Sequence, residues 1–322
     1  METTITGINA LTTPHLQIWD WRVALYLFLG GVAAGLAVMA AVMHLYRHGD
    51  LTYKENGSWI APLLVPVVLG VGMLFIFLDL ENKLNVYRLY LTVKIFSPMS
   101  WGSWGLLAFF PLSGAFALAA LPEKHYGWLQ LGMVKNLARF LSSKAIPLAI
   151  FNLLMGIFIG IYTGVLLSSF IARPLWNSSI LPVLFLLSAL SAGSALMIIV
   201  ARSLPAKLFF TKLDIIFILA EMTVLPLFFY GQYTSSAAHR ASILPFFDFA
   251  QGHLWYGAAI ICLFLLFPLA LILKLLEVRE GHVTKLTPAV VFRMHLSAAL
   301  VLAGSAIVRF AWVYAGQLSA FS

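Results

Sequence analysis

Residues 22–46 read RVALYLFLGGVAAGLAVMAAVMHLY, an apolar run long enough to cross a bilayer as one α-helix. Further apolar runs of similar length follow along the chain. The 322 residues are 61% apolar and only 10% charged, far from the average for a soluble domain. The sequence predicts an all-α polytopic membrane protein with eight transmembrane helices, the third being the shortest: 22–46, 60–80, 104–121, 146–170, 181–201, 213–232, 253–276 and 289–314.

The basic residues predict how these helices are oriented. Thirteen Lys and Arg lie in or beside the odd-numbered loops and seven on the opposite side, and the more basic side faces the cytoplasm. We therefore expect one transmembrane domain, 22–314, between a periplasmic N-terminal segment, 1–21, and a short periplasmic tail, 315–322. No cleavable signal peptide is apparent, so the first helix is expected to direct insertion. The net charge of +8 is spread over the loops, which favours membrane lipid over nucleic acid as the surroundings.

Three ionisable side chains, Asp79, Glu221 and Arg309, lie inside apolar stretches. A charge in hydrocarbon is costly, so it normally faces a partner, a cavity or an ion path. At ~1.5 Å of rise per residue, Asp79 and Arg309 fall in the outer third of the membrane together with Tyr26 and Tyr162, whereas Glu221 lies deeper and alone. The alternative interpretation is a structural ion pair between Asp79 and Arg309, with the tyrosines as interfacial anchors.

A polar track is predicted to continue inward from this outer cluster. Asn152 and His295 are expected in the inner parts of helices 4 and 8. Together with Glu221 and Arg309 they are candidates for a transmembrane proton path.

The sequence offers no redox centre of its own. Only His44 and His295 lie inside predicted spans, with His253 at the outer edge of the seventh, and a haem b needs two facing histidines at matching depth. One such pair is conceivable, but packed or solvated histidines are the favoured interpretation. The single cysteine, Cys262, gives no CxxC pair. We therefore expect no metal site, haem or iron–sulfur cluster in this chain.

An internal similarity indicates how the helices are organised. The segment AGLAVM at 34–39 is similar to AGSALM at 192–197, which suggests two parallel four-helix halves with helices 1 and 5 equivalent. Gly156, Gly160 and Gly164 form a smooth stripe on helix 4, as expected for close helix packing.

Five blocks of the sequence, in family order, resemble the NrfD/PsrC-like membrane subunits. The second half resembles them mainly through its helix count and through residues such as Glu221 and Arg309. The blocks are WDWRVALYLFLGG at 19–31, LDL at 78–80, SPMSWGSWG at 97–105, YTGVLL at 162–167 and RPLWN at 173–177.

The resemblance implies a quinone-interacting membrane subunit of a respiratory oxidoreductase complex, of the polysulfide or nitrite reductase type, in the bacterial inner membrane. It implies menaquinone or another quinone near the periplasmic face, contacted around Val23, Tyr26 and Tyr162. It also implies a ferredoxin-like iron–sulfur partner and a molybdopterin or multihaem cytochrome catalytic subunit. Where this chain has Val23 and Tyr26, the polysulfide reductase type has Asn and His. A phenol still donates a hydrogen bond, but it carries protons less readily than imidazole at neutral pH.

The expected function is to oxidise a quinol and pass its electrons to the partner, with proton translocation. Tyr26 and Tyr162 would orient the headgroup, Asp79 would accept a proton, and Glu221 and Arg309 would transfer protons. The alternatives are a secondary transporter that uses Asp79, Glu221 and Arg309 as proton or substrate sites, or a purely structural anchor. The parallel internal similarity and the few prolines within spans favour the quinol-oxidising subunit over a transporter built from inverted repeats.

Overall fold

Eight helices long and apolar enough to span a bilayer dominate the computed structural model, which describes residues 19–46, 59–128, 132–247, 254–279 and 286–319. Within these ranges the chain is helical and forms no strand, so the predicted all-α membrane fold is confirmed. In chain order the spanning helices are α1 (Trp21–Tyr46), α2 (Ile60–Asp79), α3 (Pro98–Ala120), α4 (Ala145–Ser168), α5 (Leu181–Val200), α6 (Leu204–Thr234), α7 (Tyr256–Val278) and α8 (Pro288–Leu318).

Two helices begin earlier than the sequence predicts. α3 begins at Pro98 rather than at 104, and with 23 residues it is longer than α2 and α5, which have 20 each; the prediction that the third span is the shortest is wrong. α6 begins at Leu204 rather than at 213. In both helices a proline occupies the first turn, where its missing N–H costs no hydrogen bond.

The connections and one span contain further helical elements. α7 is interrupted by a π-helical turn, Cys262–Leu266, of a kind that is frequent at functional sites. Short helices lie in three of the connections: Tyr87–Leu91, Gly132–Ser142 and Ala237–Phe247.

α1 is the central helix of the bundle and packs against α2, α4, α5 and α8. Its contact with α5 is backbone against backbone: a Cβ added to Gly35 would lie 1.7 Å from the carbonyl oxygen of Ala189, and one added to Gly193 would lie 2.2 Å from the carbonyl carbon of Gly35. Small residues permit such close crossings in membranes. Gly35 and Gly193 are the equivalent glycines of the two similar segments, so the crossing brings these segments together. The division into two four-helix halves remains a prediction.

The first and last spans end side by side. The backbone N–H of Trp19 donates to Gln317 Oε1 at 2.8 Å, and Gln317 Nε2 donates to the carbonyl oxygen of Trp19 at 2.9 Å. The start of α1 and the end of α8 are therefore on the same side of the membrane, as an even number of spans requires. We call this the outer side, following the predicted orientation.

Candidate functional site

Tyr26 of α1 and Tyr162 of α4, here called the tyrosine pair, are buried near the outer side. Their side chains are 4% and 5% exposed, and they are close enough to interact electrostatically. Neither hydroxyl is hydrogen-bonded to another side chain in the described part of the chain. The pair therefore presents two phenol hydroxyls, one from each of two helices, that can donate hydrogen bonds to a ligand.

Glycines of two neighbouring helices make room for the tyrosine pair. A Cβ on Gly102 of α3 would lie 1.9 Å from the Tyr162 hydroxyl oxygen. One on Gly72 of α2 would lie 3.7 Å from the Tyr26 ring. Four helices thus meet at the pair, and the SPMSWGSWG block contributes the glycine on which the Tyr162 position depends.

Two further residues border the tyrosine pair. Val23, one turn before Tyr26 on α1, is buried and offers only apolar contact. Tyr90, in the short helix Tyr87–Leu91, interacts electrostatically with Tyr26. The sequence analysis missed Tyr90 because it lies in a connection, where no periodicity places it against α1.

Asp79 lies at the outer end of α2, in an ion cluster with Arg22 and Asp20 that we call the outer ion cluster. Arg22 Nη1 is 4.0 Å from Asp79 Oδ1, and Arg22 Nε is 2.8 Å from Asp20 Oδ2. Arg22 also donates to the carbonyl oxygen of Leu78 at 2.8 Å, which ties α1 to α2. The ion partner of Asp79 is thus Arg22, and the alternative of an Asp79–Arg309 pair is wrong. The Asp79 side chain is 27% exposed, so it is partly accessible at the outer end of α2.

Arg309 of α8 is fully buried and makes contacts with α4 and α5. Its Nη2 donates to the carbonyl oxygen of Phe185 at 2.8 Å, its Nη1 donates to Thr163 Oγ1 at 3.4 Å, and its guanidinium carbon lies 3.9 Å from the centre of the Phe185 ring. A Cβ added to Gly31, five residues inward of Tyr26 on α1, would lie 3.1 Å from Arg309 Nη2, so the guanidinium lies on the inner side of Tyr26.

Glu221 of α6 is 1% exposed and interacts with Arg309 and with the Ser188 side chain of α5. The expectation that Glu221 stands alone is therefore wrong. Its Oε1 atom has no hydrogen-bond partner among the described residues. Glu221 and Arg309, here called the Glu221–Arg309 pair, are thus both buried and close enough to interact electrostatically, although no ion pair within 4.0 Å joins them.

Asn152 and His295, the other members of the predicted polar track, lie in separate places. Asn152 Nδ2 donates to the carbonyl oxygen of Ala37 at 3.3 Å, so it joins α4 to α1. Among the described contacts none links Asn152 to Glu221, Arg309 or His295. His295 Nε2 lies 3.1 Å from Lys207 Nζ.

The structure also reveals buried charges that the sequence analysis missed. Asp214 of α6 and Lys274 of α7 form an ion pair, with 3.0 Å between Lys274 Nζ and Asp214 Oδ2, and both side chains are fully buried. Lys207 and Glu277 are also buried. The signal was available, because Asp214 and Lys274 fall within the predicted spans 213–232 and 253–276. Lys274 was counted with the basic residues of the odd-numbered loops, and Asp214 was not singled out.

A metal site needs several ligating side chains close together. Within the part of the chain that the structure describes, no group of three or more His, Cys, Asp or Glu side chains is placed to hold a metal ion. His44 packs against Phe116, with 5.5 Å between the ring centres.

Eight apolar spans, a buried tyrosine pair and buried charges on several helices define a polytopic helical membrane protein with polar sites inside the bilayer. The chain belongs to the NrfD family: the model described as "Polysulphide reductase, NrfD" matches residues 10–320. It is thus a multi-pass protein of the bacterial inner membrane.

Individual relatives agree with this assignment. A polysulfide reductase chain of Wolinella succinogenes is 33% identical over 315 residues, which cover 93% of this chain and 94% of the relative. Protein NrfD of Escherichia coli is 28% identical over 94% of this chain and 96% of its own length. A tetrathionate reductase subunit of Salmonella typhimurium is 32% identical over 60% of this chain and 52% of its own length. Two of these relatives are thus named as parts of reductases.

Proposed function

We propose that this chain is the membrane subunit of a respiratory reductase, binds menaquinol or another quinol at the tyrosine pair, and passes its electrons to an iron–sulfur partner. When bound, a quinol supplies two electrons and two protons on oxidation. The names of the relatives support a role within a larger reductase. A ferredoxin-like iron–sulfur subunit would receive the electrons, and a molybdopterin or multihaem cytochrome subunit would use them.

The observation that carries this proposal is the pair of unengaged phenol donors at Tyr26 and Tyr162. Each phenol hydroxyl can donate one hydrogen bond, and each oxygen of a quinone ring accepts one. The donor set therefore fits a quinone headgroup held between α1 and α4. Val23 adds an apolar contact beside the ring, and the exposed apolar side chains of the spans suit an isoprenoid tail in lipid.

Protons have an exit at the outer ion cluster. Arg22 is one helical turn from Tyr26 and lies beside Asp79. Because the Asp79 carboxylate is partly exposed, it can accept a proton from the site and release it to water. On the inner side, Glu221 and Arg309 provide a second proton route, which we assign to proton translocation.

The connection between α2 and α3 offers a surface for the partner. Leu84 and Phe96 are 92% and 98% exposed there, and the same segment carries Lys83, Arg88 and Lys94. Exposed apolar side chains outside the membrane mark interaction surfaces. Since Tyr90 of this segment borders the tyrosine pair, a cluster docked here would lie close to the headgroup.

Replacing the phenols tests the quinol site. In Tyr26→Phe and Tyr162→Phe each side chain keeps its shape and loses one donor, so menaquinone affinity should fall about tenfold per hydroxyl. Affinity is measured by titrating menaquinone into the purified protein and following tyrosine fluorescence. Tyr230→Phe is the control, because Tyr230 is 68% exposed on α6 and outside the site.

Extraction of the purified protein with organic solvent gives an independent measurement. We expect bound quinone in the wild type and less in Tyr26→Phe with Tyr162→Phe combined. Equal quinone content and equal affinity in the wild type, the two single variants and the double variant would show that the tyrosine pair is not the site.

A further inference from the structure

We propose that a ladder of buried polar side chains between α5, α6, α7 and α8 carries protons from the inner side of the membrane to the Glu221–Arg309 pair. The inference rests on the quinol oxidation proposed above, which would drive the transfer. It assigns a role to the buried charged side chains of α6 and α7, which have no part in the proposed quinol site.

The innermost level of the ladder is centred on Lys207. This side chain is 3% exposed; its Nζ donates to the carbonyl oxygen of Ile198 and lies 3.1 Å from His295 Nε2. Glu277 interacts with it electrostatically. His295 is only partly buried, so this level is the entry from the inner side.

The Asp214–Lys274 pair forms a deeper level. Ser191 Oγ donates to Asp214 Oδ1 at 2.5 Å, and Ser297 Oγ lies 3.4 Å from Lys274 Nζ. All four helices of the second half thus contribute one side chain each. Asp214 is two turns beyond Lys207 on the same face of α6, a rise of ~10.5 Å.

Two hydroxyls fill the interval between these levels. Thr211 lies one turn from both Lys207 and Asp214 on α6, and Ser194 lies one turn from both Ser191 and Ile198 on α5. Both side chains are fully buried, and neither hydroxyl has a hydrogen-bond partner among the described residues. Buried hydroxyls are normally satisfied by protein or water, so this interval suits a short chain of water molecules.

The outer level is the Glu221–Arg309 pair. Ser188 and Ser305 lie beside it, with 3.0 Å between their hydroxyl oxygens. Glu221 and Asp214 interact electrostatically, although the buried Ile218 lies between them on the same face. This apolar residue makes the step from Asp214 to Glu221 the one at which transfer is controlled.

The registers of α6 and α8 support a continuous ladder. Lys207 meets His295 at the inner level, and fourteen residues later on each helix Glu221 meets Arg309. The two helices therefore run parallel and present facing polar residues over ~21 Å.

Packing alone gives no reason for such an arrangement. Apolar residues of similar volume replace a buried ion pair at little or no cost in stability, and each unsatisfied buried hydroxyl costs roughly 1–3 kcal/mol. In the proposed transfer, every proton that enters at His295 and Lys207 is matched by one that leaves Glu221, so the ladder returns to its starting charge. The departing proton passes Arg309 and Thr163 towards the outer side. The quinol electrons go to the iron–sulfur partner and its own protons leave at the outer ion cluster.

Thr211→Val tests the ladder without disturbing the fold, because valine has the shape of threonine and Thr211 has no hydrogen bond to lose. The complex, purified with its partner subunits, is reconstituted into liposomes that contain pyranine, and menadiol is added. Reduction of the iron–sulfur clusters counts electrons, and pyranine fluorescence counts protons moved. We expect the protons moved per electron to fall about tenfold while cluster reduction stays within twofold of wild type. Thr223→Val, at an exposed position of the same helix, is the matched control and should behave as wild type.

The double variant Asp214→Leu with Lys274→Met separates a structural pair from a relay. If the pair is structural, this apolar replacement keeps both assembly and proton movement; if the ladder conducts, proton movement is lost while assembly is kept. Should this variant not assemble, His295→Gln replaces it, since glutamine keeps a hydrogen bond but cannot titrate, and the same loss is expected. Unchanged protons per electron in Thr211→Val, or no proton movement in wild type, overturns the ladder alone. If menadiol does not reduce the iron–sulfur clusters in the wild-type complex, the proposed quinol oxidation is overturned as well.

Discussion

Asp79 illustrates how one residue acquires a role from its neighbours. Its carboxylate lies in the outer ion cluster with Arg22 and Asp20, one helical turn outward from Tyr26. The sequence predicted the depth of Asp79 from the length of α2, but not its partner, because Arg22 was only counted among the basic residues of the outer side. Which charges pair across helices depends on helix rotation, and a single sequence does not specify rotation.

Asp79→Asn should abolish quinol-dependent electron transfer and leave complex assembly intact. Asparagine keeps the size and polarity of the side chain but cannot take up a proton, and loss of such a group costs roughly 10²–10⁴ in rate. The measurement is menadiol-driven reduction of the iron–sulfur partner in the purified complex. Glu81→Gln, at an exposed position two residues away, is the control. Wild-type turnover in Asp79→Asn would remove its role as proton acceptor.

Helices were the best-predicted elements, since each needs only a run of apolar residues. Six of the eight predicted starts lie within a few residues of the observed ones. α3 and α6 differ because their first turns carry polar residues that the folded chain buries, such as Ser100 and Lys207. For the same reason Asp214 falls at the start of the predicted span 213–232, whereas it lies about three turns inside α6. Burial by neighbouring helices is a tertiary property, and hydropathy along one segment does not report it.

At the element scale, the α1–α5 crossing should depend on Gly35. In Gly35→Ala the new methyl group meets the carbonyl oxygen of Ala189 at 1.7 Å, so the helices must separate. Overpacking of this kind costs about 1–3 kcal/mol, more than the helix propensity gained. Thermal unfolding in detergent should therefore begin at a lower temperature than in wild type.

Gly114→Ala on α3 is the matched control for this substitution. No atom of another part of the structure lies within 4 Å of its added Cβ, so alanine should leave the unfolding temperature unchanged or raise it. Equal destabilisation by the two substitutions would mean that the crossing does not depend on Gly35.

For the whole molecule, the sequence predicts which side is periplasmic, and the fold alone does not. The only cysteine, Cys262, is fully buried, so introduced cysteines can be labelled without a background thiol. Met133→Cys lies between α3 and α4, at a position 81% exposed, and Ser235→Cys lies between α6 and α7. An impermeant maleimide should label Ser235→Cys in intact spheroplasts and Met133→Cys only after permeabilisation. The reverse pattern would invert the orientation, and labelling of both from one side would contradict the eight-span fold.

The Asp214–Lys274 pair also bears on how the protein enters the membrane during synthesis. Inserting a lone lysine into a spanning helix is costly at the translocon. α6, with Asp214, is made before α7, so a counter-ion is already within the bilayer when Lys274 arrives. The order of these two helices in the sequence therefore matters to biogenesis. A circular permutation that delivered α7 first would present the insertion machinery with an unpartnered charge.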